Sequence, residues 1–151
     1  MKLLRFIVLS CMITQAQQSY EKSVLIDSIP VSNAVEETFA LYLPEAYDAQ
    51  VLSPILFIFE PAGRGKVGIN AFIEAAEAYN YILVCSNNAR NGPYDRNFAI
   101  ASRLFTHVFS RFNIKEKGIY LAGFSGGSRL ASSIAALTLS LIHISEPTRP
   151  Y

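Results

Sequence analysis

A serine flanked by glycines is the first group in this sequence that suggests chemistry. Gly123-Phe124-Ser125-Gly126-Gly127 has the pattern G-x-S-x-G and follows the apolar residues 119–122. A serine hydroxyl is a useful nucleophile when it is exposed at a sharp strand-to-helix turn, and flanking glycines permit that backbone shape. The N–H of Gly126, at the positive end of the next helix, would stabilise the oxyanion that forms. We interpret Ser125 as a catalytic nucleophile; a glycine-rich turn without chemistry is the alternative.

The strands needed to position such a serine precede it in order. Residues 24–29 and 38–43 are short, partly alternating β-rich segments, which predict two antiparallel edge strands. Residues 55–59, 81–85 and 119–124 are continuous apolar runs. Such runs are typical of strands that are covered on both faces in a parallel sheet.

Helical patterns fill the gaps between the apolar runs. Apolar residues recur at helical spacing over residues 69–76, with Asn70 as a candidate cap, and over residues 98–112. His107 lies beside the second stripe, and we interpret it as structural. The alternation of strand and helix predicts right-handed crossovers and a mostly parallel sheet flanked by helices.

Together with the serine turn, this order resembles the first half of the α/β-hydrolase fold over residues 24–138. Within that superfamily the chain is similar to secreted bacterial esterases of the polyhydroxybutyrate-depolymerase and feruloyl-esterase type. The resemblance implies an α/β-hydrolase-type domain truncated after the helix that follows the serine. It also implies a small-molecule or polymer ester as substrate, and neither a metal nor an organic cofactor.

The resemblance assigns further site residues. Ser125 matches the nucleophile, and Gly126 matches the residue whose N–H forms half of the oxyanion hole. The loop over residues 60–65 matches the one that supplies the second N–H, from Ala62 or Gly63. A loop on the same side of the sheet would line the substrate cleft, although ordinary turn chemistry explains its polar residues equally well; these are Asn87, Asn88, Tyr94 and Asp95.

The glycine-rich loop has a competing interpretation. Residues 63–68 read G-x-G-x-x-G between a strand and a helix, which is the pattern of dinucleotide-binding folds. Those folds place an acidic residue at the end of the next strand to bind the ribose. Here that strand ends in Cys85-Ser86-Asn87-Asn88, without an acidic residue, which argues against a nicotinamide cofactor.

The other two members of a catalytic triad are missing. In α/β-hydrolases the acid and the histidine follow the serine along the chain. Downstream of Ser125, the only histidine is His143 and the only acidic residue is Glu146. They are three residues apart, so they cannot lie at the ends of two separate strands. Residues 139–149 resemble a translated transposase-type sequencing adapter, which predicts that native sequence ends near Thr138; a natural proline-containing tail is the alternative. We expect the chain alone to be inactive.

Composition and the N-terminus narrow the class of protein. A net charge of +1 without a Lys/Arg cluster gives no indication of a nucleic-acid partner. Residues 1–16 have the charged start, short apolar stretch and small-residue end of a signal peptide, which predicts a secreted or periplasmic protein without a transmembrane span. Lipidation at Cys11 is the alternative. Without that segment Cys85 is the one remaining cysteine, and the chain has no zinc-type ligand set.

These observations predict one α/β domain over residues 20–138, followed by a non-native tail over residues 139–151. The function they favour is that of an N-terminal fragment of a secreted serine hydrolase acting on carboxylic esters. The alternative is a non-catalytic secreted α/β domain that binds a glycan, a lipid or a protein, because a fold does not guarantee its usual chemistry.

Overall fold

The computed structural model describes residues 19–143, with side chains described for residues 19–138. The predicted signal peptide, including Cys11, lies outside the described residues. So do Glu146 and residues 144–149 of the adapter-like segment.

The described chain contains five strands and four helices, which alternate singly only from β4 onward. In order they are β1 (Leu25–Pro30), β2 (Thr38–Tyr42), β3 (Ser53–Phe59), α1 (Gly65–Asn70), α2 (Ile73–Tyr79), β4 (Ile82–Ser86), α3 (Tyr94–Phe109), β5 (Ile114–Gly123) and α4 (Gly126–His143). The strands form one mixed sheet in the order β1-β2-β4-β3-β5. Strands β4, β3 and β5 are parallel to one another, and β1 and β2 are antiparallel. The predicted mostly parallel sheet flanked by helices is confirmed.

The apolar runs form strands because helices cover both faces of the sheet. Ile55, Phe57 and Phe59 of β3 point to one face, where α3 and α4 pack on them. Leu56 and Ile58, the alternating residues, point to the other face, where α1 and α2 pack. A strand buried on both sides needs apolar residues at consecutive positions, which accounts for the unbroken run. The same prediction is wrong for the run over residues 119–124: β5 already begins at Ile114, and Ile119 and Tyr120 are 43% and 45% exposed, because no further strand or helix covers them in the described chain.

The prediction of two edge strands is wrong for β2. This strand pairs with β1 on one side and with β4 on the other, so only β1 of these two lies at an edge. Accordingly Phe39, Ala40 and Leu41 are fully buried. Strand order depends on tertiary packing, which the local alternation of residues does not encode.

The segment predicted as one helix over residues 69–76 is two helices. α1 ends at Asn70, so this residue closes a helix and does not cap the start of one, and α2 begins at Ile73. Ile69 and Ala76 are nevertheless both fully buried against the same core. The apolar spacing therefore predicted the buried face correctly, but it did not predict the break between the helices.

The glycines of the G-x-G-x-x-G pattern bring α1 close to the sheet. Gly65 and Gly68 lie inside α1. A Cβ atom at Gly65 would lie 2.8 Å from the Cβ of Ala40, and one at Gly68 would lie 2.6 Å from the Sγ of Cys85. Both distances are shorter than van der Waals contact, so these positions need glycine for helix–sheet packing. Burial raises the pKa of the Cys85 thiol to about 12, and this cysteine behaves as a small apolar residue, as expected.

None of the described helices has both the length and the apolar character needed to cross a membrane.

Candidate active site

Ser125 lies in a tight turn between a strand and a helix. β5 ends at Gly123 and α4 begins at Gly126, so only two residues connect them. Ser125 has φ = +48°, in the left-handed region that a residue with a side chain rarely adopts. Its side chain is exposed. An exposed hydroxyl at a strained strand-to-helix turn is the arrangement that a nucleophilic serine requires.

Two glycines make this turn sterically possible. A Cβ atom at Gly123 would lie 2.4 Å from the carbonyl carbon and oxygen of Gly127. One at Gly127 would lie 1.9 Å from the carbonyl oxygen of Phe59 at the end of β3. The same carbonyl accepts a hydrogen bond from the N–H of Phe124 at 3.2 Å. Main-chain atoms of β3 and α4 thus hold the turn from both sides.

The start of α4 is electropositive at the serine. The carbonyl of Ser125 accepts hydrogen bonds from the N–H of Ser128 and of Arg129, which ties the serine backbone into the helix. The first turn of α4 contains no acidic residue. Within the described chain, the N–H of Gly126 and the hydroxyl of Ser125 have no hydrogen-bond partner. Helix N–H groups of this kind bind anions, so Gly126 is suited to hold an oxyanion.

A polar cavity of about 280 Å³ opens beside Ser125 at the carboxyl ends of the parallel strands. This edge is where open α/β sheets bind their ligands. The lining comes from the end of β3, the loop after β4, the start of α3 and the start of α4; it comprises Phe59, Glu60, Ala89, Arg90, Asn91, Gly92, Tyr94, Asn97, Ser125, Gly126, Gly127, Arg129 and Leu130.

The loop after β3 is organised around a buried carboxylate. Glu60 is 3% exposed. One of its oxygens accepts the N–H of Ala62 at 2.8 Å and that of Arg64 at 2.9 Å, and the other accepts the Arg64 guanidinium. The N–H of Gly63 donates to the Glu60 carbonyl at 3.0 Å. Hydrogen bonding from the Arg64 side chain is the main reason why the pKa of Glu60 lies below its ordinary value.

The N–H groups of Ala62 and Gly63 are therefore engaged inside their own loop. Neither residue lines the cavity beside Ser125. To hold an oxyanion, either group would first have to release its bond to Glu60. The structure thus brings Gly126 to the serine and keeps Ala62 and Gly63 apart from it.

The four residues predicted for the substrate cleft divide into two groups. Tyr94 lines the cavity, whereas Asn87, Asn88 and Asp95 do not. Tyr94 and Asp95 lie in the first turn of α3 and not in the preceding loop where the sequence placed them, because α3 already begins at Tyr94.

Asn87 and Asn88 connect the loop after β4 to the first strands. The amide of Asn87 donates to Asp27 at 2.9 Å and to Thr38 at 3.0 Å, and its oxygen accepts the N–H of Gly65 at 2.9 Å. The oxygen of Asn88 accepts the N–H of Thr38 at 2.8 Å. Both side chains are thus used in holding the loop in place.

Residues of this loop that the sequence did not single out do reach the site. The amide of Asn91 lies against Gly126, because a Cβ atom there would be 1.8 Å from the Asn91 oxygen. The N–H of Asn91 donates to the carbonyl of Pro61 at 2.8 Å, which fixes the loop. The polar composition of residues 86–96 was the available signal, but it does not distinguish side chains that point inward from those that point outward.

No histidine or free carboxylate reaches Ser125 within the described side chains. His107 lies in α3 and is buried, and its Nδ1 accepts the N–H of Ser32 at 3.0 Å. Burial, with a smaller effect of the Arg111 charge, holds the pKa of His107 below its ordinary value. It does not line the cavity, in agreement with its structural interpretation. Of the described residues, no three His, Cys, Asp or Glu side chains form a group that could hold a metal ion.

Comparison with known proteins gives matches among solved structures. No protein-family model and no curated protein matches the chain. An ester-hydrolase from the metagenome of Lake Arreo has a TM-score of 0.59 and 16% identity, over 81% of this chain and 41% of its own. Acetyl xylan esterase from Aspergillus awamori has a TM-score of 0.58 and 14% identity, over 75% of this chain and 47% of its own. Poly(3-hydroxybutyrate) depolymerase from Bordetella parapertussis has a TM-score of 0.53 and 17% identity, over 71% of this chain and 44% of its own.

These similarities show the fold of the chain. Its mixed five-stranded sheet with flanking helices is an α/β-hydrolase fold. The chain spans less than half of the length of each of these three structures.

Proposed function

We propose that this chain is the N-terminal part of a longer serine hydrolase that acts on carboxylic esters, with Ser125 as its nucleophile. The observation that carries the proposal is the backbone of Ser125, which is held at φ = +48° beside a polar cavity and at the start of α4. Strain of this kind persists where the surrounding structure enforces it, and it concentrates at functional sites. The esterases among the structural neighbours support ester substrates.

In the proposed reaction, the Ser125 oxygen bonds to the acyl carbon and its proton passes to a general base. The carbonyl oxygen becomes an oxyanion, which the N–H of Gly126 stabilises. The C–O bond to the alcohol then breaks, the alcohol leaves with the proton, and water releases the acid from the acyl-enzyme. The second oxyanion bond is not assigned to Ala62 or Gly63, because both N–H groups already bond to Glu60.

The general base and the acid of the proposed triad are not found beside Ser125 among the described side chains. In this fold they follow the nucleophile along the chain. Between Ser125 and His143 there is no Asp or Glu. We therefore propose that the parent protein supplies both groups from later strands, and that the 151-residue chain hydrolyses esters poorly, since a serine without a base is a weak nucleophile.

Labelling by a fluorophosphonate tests this function. The full-length parent protein should be labelled covalently, and Ser125→Ala should abolish the label. Ser132→Ala is a matched control, because Ser132 is an exposed serine further along the same helix. Labelling that persists in Ser125→Ala, or that never occurs, would contradict the proposal and favour a binding domain without catalysis.

We also propose that residues 1–16 direct export. The proposal rests on the charged start, short apolar stretch and Ala16 described above. N-terminal sequencing of protein recovered from the periplasm or medium tests it. A start at residue 17 supports cleavage after Ala16, a lipidated start at Cys11 supports the alternative, and an intact Met1 in cytoplasmic protein contradicts export.

A further inference from the structure

Two arginines without an acidic partner line the cavity beside Ser125. They are Arg90, in the loop after β4, and Arg129, in the first turns of α4. Neither forms a salt bridge with any of the described carboxylates. By contrast, Arg64 and Arg103 are paired with Glu60 and Glu37. Cavity-lining guanidinium groups that are left unpaired are available to a ligand.

The only carboxylate in the described lining does not neutralise this pair. Glu60 already accepts two main-chain N–H groups and the guanidinium of Arg64. Its charge is thus balanced within its own loop. Together with the electropositive start of α4, the two arginines give the cavity a net positive field.

The position of Arg90 is fixed by a buried amide. Asn97 in α3 is 6% exposed, and its amide nitrogen donates to the carbonyl of Arg90 at 2.7 Å. Its oxygen accepts the N–H of Arg90 at 3.3 Å. The hydroxyl of Ser86 accepts the N–H of the preceding residue, Ala89, at 3.0 Å. A loop whose backbone is held in this way loses little entropy when its side chain binds a ligand.

We propose that the substrate of Ser125 carries a carboxylate near the scissile ester, and that Arg90 and Arg129 bind it. This inference rests on the proposed hydrolase function and names its substrate class. Guanidinium groups bind carboxylates through paired, charge-assisted hydrogen bonds. The cavity of about 280 Å³ accommodates a short chain between the two groups, as in a half-ester of a small dicarboxylic acid.

Direct binding to Ser125→Ala tests the substrate class without any reaction. The full 151-residue chain would be titrated by NMR with monomethyl succinate and with methyl 4-oxopentanoate, which has a neutral ketone in place of the carboxylate. We expect the anion to bind at least about fivefold more tightly at low salt, and this advantage to shrink at high salt. Equal affinity for the two ligands would overturn the inference.

Substitution of Arg90 and Arg129 tests which residues bind the carboxylate. Arg90→Gln and Arg129→Gln, each combined with Ser125→Ala, should weaken binding of the anion and leave that of the neutral ester unchanged. Arg96→Gln is the matched control, because Arg96 is exposed in α3 and does not line the cavity. An equal loss in the control would show a general charge effect and would overturn the assignment.

The hydrolase function and the substrate class can be disproved independently of each other. A protein that shows Ser125-dependent labelling but no preference for the anion keeps the hydrolase function and loses the substrate class. A protein that prefers the anion but is never labelled loses the hydrolase function, and its cavity is then a carboxylate-binding site.

Discussion

At the scale of single residues, the site depends on a serine held in an unfavourable conformation. A left-handed residue with a side chain costs about 1–2 kcal/mol relative to the right-handed region. Ser125 bears this cost at φ = +48°, whereas a glycine would not. Under the proposed function, stability and reactivity therefore oppose each other at this position.

We predict that Ser125→Gly raises the free energy of unfolding by up to about 1 kcal/mol, because relief of backbone strain exceeds the added freedom of glycine in the unfolded chain. Ser125→Ala is the matched control, since alanine keeps the Cβ atom and the strain but also lacks the hydroxyl. Urea unfolding followed by circular dichroism measures the difference. A Ser125→Gly variant no more stable than Ser125→Ala would contradict the presence of strain.

The sequence predicted the turn that contains Ser125, but it did not predict the residues that surround this turn. The letters G-x-S-x-G identified the turn because its geometry requires glycine at Gly123 and Gly127. Arg90, Asn91 and Arg129 carried no comparable signal, because an exposed surface residue and a cavity residue can have the same side chain. Their role depends on how the ends of β3, β4 and β5 meet.

At the scale of elements, the connection from β3 to α1 is held together by one side chain. Glu60 binds the main chain at Ala62 and Arg64, so its carboxylate fixes the loop. Its pKa lies below the ordinary value in the folded protein, so the folded state prefers the ionised form. The resulting stability is present above the unfolded-state pKa of about 4.3 and is lost as the pH falls through the lower folded-state pKa.

We predict that Glu60→Gln lowers the free energy of unfolding by about 1–2 kcal/mol at pH 7, since a neutral amide is a weaker acceptor for the Arg64 guanidinium and the loop N–H groups. Below the folded-state pKa the wild type also loses its charge, so the difference should become small. Urea unfolding at pH 7 and at a series of decreasing pH values measures this. Glu21→Gln, at an exposed carboxylate, is the control, and a difference that is independent of pH would contradict the role of the charge.

The elements themselves were predictable where burial is continuous. Strands β3 and β4 follow from apolar runs, because a strand covered on both faces needs them. The apolar run also located the end of β5, but not its start at Ile114 or its exposure. The interior place of β2 and the break after Asn70 did not follow. Both are set by which element packs next to which, and the local sequence does not contain that information.

At the scale of the whole molecule, the sheet has an open side along β5. Within the described part of the chain, β5 pairs with β3 alone. Ile119 is 43% exposed and Tyr120 is 45% exposed, and Phe109 of α3 and Leu137 of α4 are exposed as well. An uncovered apolar edge strand promotes pairing with another chain.

We predict that the 151-residue chain self-associates through β5, and that Ile119→Lys reduces the association by placing a charge at that edge. Val35→Lys is the matched control, because Val35 is 92% exposed and lies before β2, away from β5. Sedimentation velocity over a range of concentrations would detect the difference. A concentration-independent monomer with a sharp, cooperative thermal transition would contradict the prediction.

The serine turn has a consequence for how far such sequences can diverge. The atoms that hold it are the carbonyl of Phe59, the N–H of Phe124 and the main chain of Gly127. Apart from glycine at two positions, these contacts place no demand on side-chain identity. The surrounding residues are then free to be replaced over evolutionary time without moving the hydroxyl. The position of the hydroxyl is therefore a property of the main chain where β3, β5 and α4 meet, and the side chains of the cavity can change what binds there without changing where the hydroxyl lies.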